Sequence, residues 1–312
     1  MSLDVTPQGR FAGHDREAIA WRRRLMAQDL WQSFERLLHR GLRRLPVAVV
    51  SEIGARLAWL KIRVIDPDVA RKARANLRRH LPQASDREIE RHVWRFVANV
   101  GRLMAEFTVL HRFDPARHME FVGADEARAD VGQVPTIALC LHLGNWEVLA
   151  AGLKSIGIPV ASVAEVPTKE LHREVATATR KDLDVEILTP DRSGLLRVMS
   201  ILKAKGVVAL FADEKRNGNM MAPLFGRRTH VQGNLALAAR LARHTNAQLI
   251  IAYCERIDKT RFRLNFHRPI RLNAVVGDAH ADVAYLNDLI EPIVRRHLDQ
   301  WYYLDDAIEP IA

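Results

Sequence analysis

Residues 138–150 read ALCLHLGNWEVLA. The apolar run that leads into this stretch, 135–142, has strand length and no helical spacing, so it reads as a buried strand. Gly144 permits a tight turn after it, and Asn145 is a good N-cap for a following helix. Glu147 then falls in the first helical turn, where the helix dipole favours a carboxylate. His142 stands at the carboxyl end of the strand, where α/β sheets place their ligands. The turn lets Glu147 fold back onto the imidazole, which fixes the tautomer and leaves the other ring nitrogen free as a base. The H-x4-E spacing is short and common. Alone, it says no more than that a histidine and a glutamate lie near a helix start.

Working outward, strand-length apolar runs at 135–142, 158–164, 185–188, 206–212, 247–255 and 261–266 alternate with helical patterns at 145–155, 169–181, 194–204, 232–243 and 280–297. The last two strands flank the short turn IDKT and read as an antiparallel hairpin. The expected fold is α/β, a mixed β-sheet flanked by helices, with a helical basic region before it. The long segment 213–229, DEKRNGNMMAPLFGRRT, interrupts this alternation, and long loops in compact domains are often functional.

Upstream the pattern is helical. Between Leu30 and Leu45 the apolar residues share one helical face with arginines between them, and Pro46 opens a second amphipathic segment. An Arg-rich stretch, 68–80, follows. Ser85 and Glu88 have capping-box spacing and open a helix reaching about Leu110. Residues 1–120 carry 23 Lys plus Arg against 14 Asp plus Glu, a net of +9, whereas the rest of the chain is nearly balanced. The expected organisation is a helical, basic, membrane-associating region over 1–120 and an α/β core over 121–312. Such a charge asks for an anionic partner. A basic helix with Trp and Leu on one face suits a membrane interface, and equally a helix lying on its own core with arginines in solvent.

The polar first 28 residues do not read as a signal peptide, and no uncharged apolar run approaches the ~20 residues of a spanning helix. Cys140 and Cys254, each inside an apolar run, imply no disulfide framework. Cys140 shares a strand face with His142, but same-face neighbours lie roughly 6–7 Å apart with parallel side chains, so it reads as a core residue. H-E-x-x-H, C-x-x-C, G-x-G-x-x-G, the phosphate-binding Gly-Lys loop and the G-x-S-x-G elbow are all absent. The expectation is no metal and no cofactor. No RRM, KH or helix-turn-helix signature accompanies the arginines, so nucleic acid is not an expected partner. A basic membrane- or nucleic-acid-binding protein without activity, and a thioesterase using the same histidine, are the other readings of these residues.

HLGNWE at 142–147 resembles the first motif, H-x4-D/E, of the glycerolipid and lipid A acyltransferases, in the form of the late lipid A acyltransferases. DRSG at 191–194, FADEKRNGNMMAPLFGRRTHVQGNLALAAR at 211–240, AQLIIAYCER with RFRLNFHRPI, and DQWYYL follow in that family's order. The resemblance covers roughly 120–304. It implies transfer of a fatty acyl chain from acyl carrier protein to a hydroxyl of a lipid A precursor or another glycerolipid, glycolipid or aminolipid. It implies His142 and Glu147 as the catalytic pair, and Arg192, Asn145, Asp213, Arg227, Arg228 and Thr229 as oxyanion or substrate contacts. Arg192 reads either as the oxyanion donor or as a phosphate clamp. Thr229 to Gln232 has capping-box spacing and reads either as an anion-binding helix start or as a plain cap. The implied place is the cytoplasmic face of the inner membrane, held peripherally on an anionic surface. Where the family often reads Asp-Gln-Asp, this chain has Asp213-Glu214-Lys215. The family's apolar N-terminal anchor is replaced by charged amphipathic segments. These departures bear on membrane attachment and acceptor, not on the reaction.

Overall fold

The computed structural model describes residues 37, 39–164, 170–272 and 278–306. The chain divides into two units, Met1–Leu45 and Pro46–Ala312. Of the first, only residues 37 and 39–45 are described, helical through Leu42. Half of the amphipathic segment expected at 30–45, residues 30–36 and 38, therefore lies outside the described residues.

The second unit opens with three helices, α1 (Val47–Val64), α2 (Pro67–His80) and α3 (Asp86–Glu106). Pro67 begins α2 at a position where a missing N–H costs nothing. Ser85 and Glu88 close the expected capping box: the Glu88 N–H donates to Ser85 Oγ, and the Ser85 N–H donates to the Glu88 carboxylate. Helices α1 and α3 cross closely, because a Cβ on Gly54 or on Gly101 would lie 2.3 Å from the other's carbonyl oxygen. Ile62, Leu77, Val93 and Phe96 from these helices join Leu139 and Val208 of the sheet in one hydrophobic core. By compactness the division falls at 45/46, so the helices of 47–106 lie in the same unit as the sheet. The sequence pattern does change near 120, but short helices bury an apolar face only against a neighbour, and here that neighbour is the sheet.

Apart from short helical turns, among them Phe107–Arg112, Pro115–His118 and Ala124–Arg128, the main elements that follow are β1 (Met119–Val122), β2 (Thr136–Cys140), α4 (Glu147–Ser155), β3 (Val160–Val163), α5 (Glu170–Asp182), β4 (Val185–Leu188), α6 (Arg192–Lys203), β5 (Val207–Phe211), α7 (Gly233–Thr245), β6 (Gln248–Asp258), β7 (Arg261–Phe266) and α8 (Ala279–Arg296). Seven strands form one sheet in the order β1-β7-β6-β2-β5-β3-β4. Only β6 and β7 pair antiparallel, as the hairpin reading expected. The fold is mixed α/β. Strand β1 had no sequence signal, being four residues long and only partly buried.

All five residues of β2 are buried, which explains the unbroken apolar run: a parallel strand covered on both faces has no polar side to show. The β2–β5 register runs from Thr136 opposite Val207 to Cys140 opposite Phe211. Carried two residues past the last pair, that register sets His142 beside Asp213. The segment after β5 makes a small hairpin, Lys215–Arg216 against Asn219–Met220, then a 3-10 turn at Leu224–Gly226.

Candidate active site

The imidazole of His142 is where the register places it. Its Nδ1 lies 2.9 Å from Asp213 Oδ1, and the His142 backbone N–H also donates to the Asp213 carboxylate. Trp301 Nε1 donates to Asp213 Oδ2 at 2.8 Å, so three donors serve a carboxylate with no solvent exposure. An acceptor fixed on Nδ1 keeps the ring proton there and leaves Nε2 as the basic nitrogen. The ring itself is 15% exposed and is enclosed by Phe211, Trp146 and Tyr303 at centroid distances of 4.3, 4.8 and 5.2 Å.

The sequence reading gave the place on the imidazole to Glu147; the carboxylate bonded to Nδ1 belongs to Asp213. Five residues apart, His142 and Glu147 are separated by a turn that commits Glu147 to the first turn of α4, while the neighbouring strand delivers Asp213 at hydrogen-bond distance. Glu147 lines the same cavity as His142.

The turn between them is tightly held. Gly144 has φ +59°, and a Cβ there would lie 2.6 Å from the Cys254 carbonyl oxygen. The Gly144 N–H donates to the Gln300 carbonyl, and the Tyr302 N–H donates to the His142 carbonyl, so the segment around Trp301 clasps both sides of the histidine. Asn145 is fully buried. Its Oδ1 accepts from the Glu147 N–H, the capping expected of it, and its Nδ2 donates to Glu106 Oε2. Glu106, also fully buried, accepts two bonds from the Arg256 guanidinium and one from Ser51 Oγ. Sequence reasoning missed Glu106 and Arg256. The available signal was a lone carboxylate inside the apolar helical stretch LMAEFTVL.

His142 opens onto a cavity of about 310 Å³. One part of its wall is apolar: Leu149 and Leu153 of α4, Val160 of β3, Val185 and Ile187 of β4, and Leu183 before it. Polar residues on the wall include Glu147, Glu214, Arg216, Asn234 and Tyr303. Burial raises the Tyr303 hydroxyl, with the negative charge of Asp213 adding to it, so that phenol stays protonated. Cys140 also lines the cavity, but burial, reinforced by Asp213, pushes its thiol up to about 12. A thiolate there is out of reach, in keeping with its reading as a core residue.

The other sequence candidates are not brought to the cavity wall. Arg192 is exposed at the start of α6, whose first turn is capped by Asp191. Arg227 donates to the Leu224 carbonyl, Arg228 is exposed, and Thr229 is half-buried. The capping box predicted from Thr229 to Gln232 does not form. Helix α7 begins at Gly233, Gln232 supplies no side-chain cap, and the Asn234 N–H goes instead to Glu214 Oε1 at 2.7 Å. Among the described residues no three His, Cys, Asp or Glu side chains gather as a metal site.

A base held by a buried carboxylate at the end of a parallel strand, over a largely apolar cavity, has the parts for moving an acyl chain between oxygen and sulfur nucleophiles. Residues 22–307 match the family described as bacterial lipid A biosynthesis acyltransferase. The chain belongs to that family, and is accordingly an acyltransferase of lipid A biosynthesis with an acyl donor and a lipid acceptor. No curated protein matches it. Among solved structures it is similar to the 1-acyl-sn-glycerophosphate (LPA) acyltransferase PlsC from Thermotoga maritima, at 12% identity over 82% of this chain and 99% of that one, with a TM-score of 0.40, a likeness too distant to bear on function.

Proposed function

We propose that this protein transfers a fatty acyl chain from acyl carrier protein to a hydroxyl of a lipid A precursor, with His142 as the base and Asp213 as the group that orients it. The observation that carries the reading is the buried Asp213 on His142 Nδ1, with Nε2 left for the cavity. Nε2 takes the proton of the acceptor hydroxyl as its oxygen attacks the thioester carbonyl. The new C–O bond gives a tetrahedral intermediate, the C–S bond breaks, and the proton passes from the imidazolium to the leaving thiolate. The apolar wall between α4 and the β3–β4 half of the sheet accommodates the chain. Tyr303, protonated and lining the same cavity with its ring beside that of His142, offers a hydroxyl donor to the developing oxyanion.

Charge supports an acidic carrier. Helix α2 carries five basic residues and one acidic. Arg71 and Arg78 pair with Asp68 and Asp86, and Arg74 with Glu90, so the face is moderated by ion pairs yet remains net positive. Attachment to the cytoplasmic face of the inner membrane is peripheral in this reading. No helix among the described residues is long and apolar enough to cross a membrane. Helix α1 leaves Val49, Leu57, Trp59, Leu60 and Val64 exposed, beside Arg56, Lys61 and Arg63, the composition of a helix lying in an anionic interface.

The test is reconstitution. Purified protein, an acyl carrier protein thioester and a lipid A precursor should yield precursor with one added ester-linked chain by mass spectrometry. Acyl-CoA should be the poorer donor. Release of free fatty acid with no acylated lipid would replace the transferase by a hydrolase.

A further inference from the structure

Glu214 stands next to Asp213 yet takes no part in holding His142. Its side chain is 13% exposed and lines the cavity that His142 faces. One oxygen is spoken for: Oε1 accepts the Asn234 N–H at 2.7 Å, and Arg216 Nε approaches it at 3.4 Å. The other, Oε2, is buried and has no hydrogen-bond partner among the described residues. A buried carboxyl oxygen without a partner is costly, and in a substrate cavity it is an acceptor waiting for a donor. The surroundings sharpen this. Arg216 donates to Asn234 Oδ1, and Asn234 Nδ2 donates to the Phe211 carbonyl, so the neighbouring polar atoms are already engaged with one another. Lys215 is turned to Asp306 and the Tyr303 ring. Among the described residues, of the buried side-chain atoms that lack a hydrogen-bond partner, Glu214 Oε2 is the one that belongs to a residue lining this cavity.

We propose that Glu214 is a specificity-determining residue: Oε2 takes a hydrogen bond from an O–H or N–H of the acceptor beside the hydroxyl being acylated. The acceptor so selected is a headgroup bearing several hydroxyl or amide donors, and a plain monohydric alcohol gains nothing from it. This inference rests on the acyltransferase reading above. A carboxylate that meets its donor only when the acceptor is bound rejects analogues lacking that donor, because the buried oxygen is then left unpaired. Burial pushes the Glu214 carboxyl up to about 7, so near neutral pH its charge is readily set by what it faces. The charged and titratable groups beside it or on the same cavity are Asp213, Arg216, Lys215, Tyr303, His142, Glu147 and Cys140.

The experiment measures the apparent KM for a lipid A precursor and, separately, for the acyl carrier protein thioester, in the full-length protein and in Glu214→Gln and Glu214→Ala. Gln keeps a carbonyl for the Asn234 N–H, so the start of α7 survives and that variant decides the matter if Glu214→Ala does not fold. The expected result is an acceptor KM raised on the order of tenfold or more, larger in Ala than in Gln, with the donor KM unchanged. An unchanged acceptor KM in the folded variants, or a parallel rise for both substrates, overturns the assignment. A wild-type protein that transfers no acyl chain refutes the acyltransferase reading instead, and the inference falls with it. The two failures are told apart by the wild-type reaction alone.

Discussion

Two buried carboxylates flank the turn 142–147, and they do different work. Asp213 accepts from the His142 imidazole, the His142 N–H and the Trp301 indole, with the imidazole opening on the cavity. Glu106 accepts from both arms of the Arg256 guanidinium, from the Ser51 hydroxyl and from the Asn145 amide. In the proposed reaction the same chemical group orients a proton in one place, and in the other it is a fixed ionic tie. Partner decides the role: an imidazole can gain and lose a proton beside its carboxylate, whereas a guanidinium cannot. The tie joins α1, α3, β6 and the turn; the orienter joins β2, β5 and the tail.

The sharpest break in this comparison is His142→Ala. It should lower acyl transfer by about a thousandfold or more while leaving the thermal unfolding transition in place. Near-normal turnover would end the assignment of the base. Asp213→Asn comes next. The ring then loses the acceptor that fixes its tautomer, and kcat should drop by roughly 10²–10⁴. Glu147→Gln should cost clearly less, and kinetics that rank the two the other way round would return the orienting role to Glu147.

On the other side of the turn the readout changes from rate to stability. Glu106→Gln leaves the Arg256 charge buried without its partner, at a cost of about 3–5 kcal/mol. Denaturant melts should show that loss, with kcat per folded molecule far less affected than in Asp213→Asn. Equal damage to both quantities would mean that the two carboxylates are not separable.

A smaller effect concerns pH. The Glu214 carboxyl is raised by burial from an ordinary value of 4.5 to about 7. Its contribution to stability is therefore fully present below about pH 4.5 and is lost as pH rises through about 7. The melting temperature of the wild type relative to Glu214→Gln should fall across that window. A constant difference would show that the carboxyl is not held in its neutral form. Smallest of all, Cys140→Ser should retain most activity, since the thiol titrates near 12; full inactivation with an intact fold would revive a thiol mechanism.

How much was legible depended on whether the determinant was local. The six strands and five helices read from Pro135 onward are present within a few residues, because period and turn chemistry are written into neighbouring positions. Strand β1 was not legible: four residues, three half-buried and one exposed, carry no period. The Ser85 capping box was correct, and the one at Thr229 was not, although both have the spacing. At Ser85 the cap comes from its own helix. At α7 a carboxylate from the far side of a twenty-residue connection, Glu214, reaches the Asn234 N–H first.

The sequence by itself determined the alternation that makes the fold α/β, the placing of His142 at a strand end, the tight turn at Gly144 and the cap at Asn145. Each follows from residues within one turn or one strand of each other. The tertiary structure decided which carboxylate meets the imidazole. Asp213 lies 71 positions from His142, and only the parallel register of β2 with β5 sets them side by side. It likewise decided that Glu106 and Arg256 form a tie, and that helices α1–α3 share the core of the sheet. Hydrogen-bond partners and buried faces are properties of strand order and packing, which no local spacing encodes.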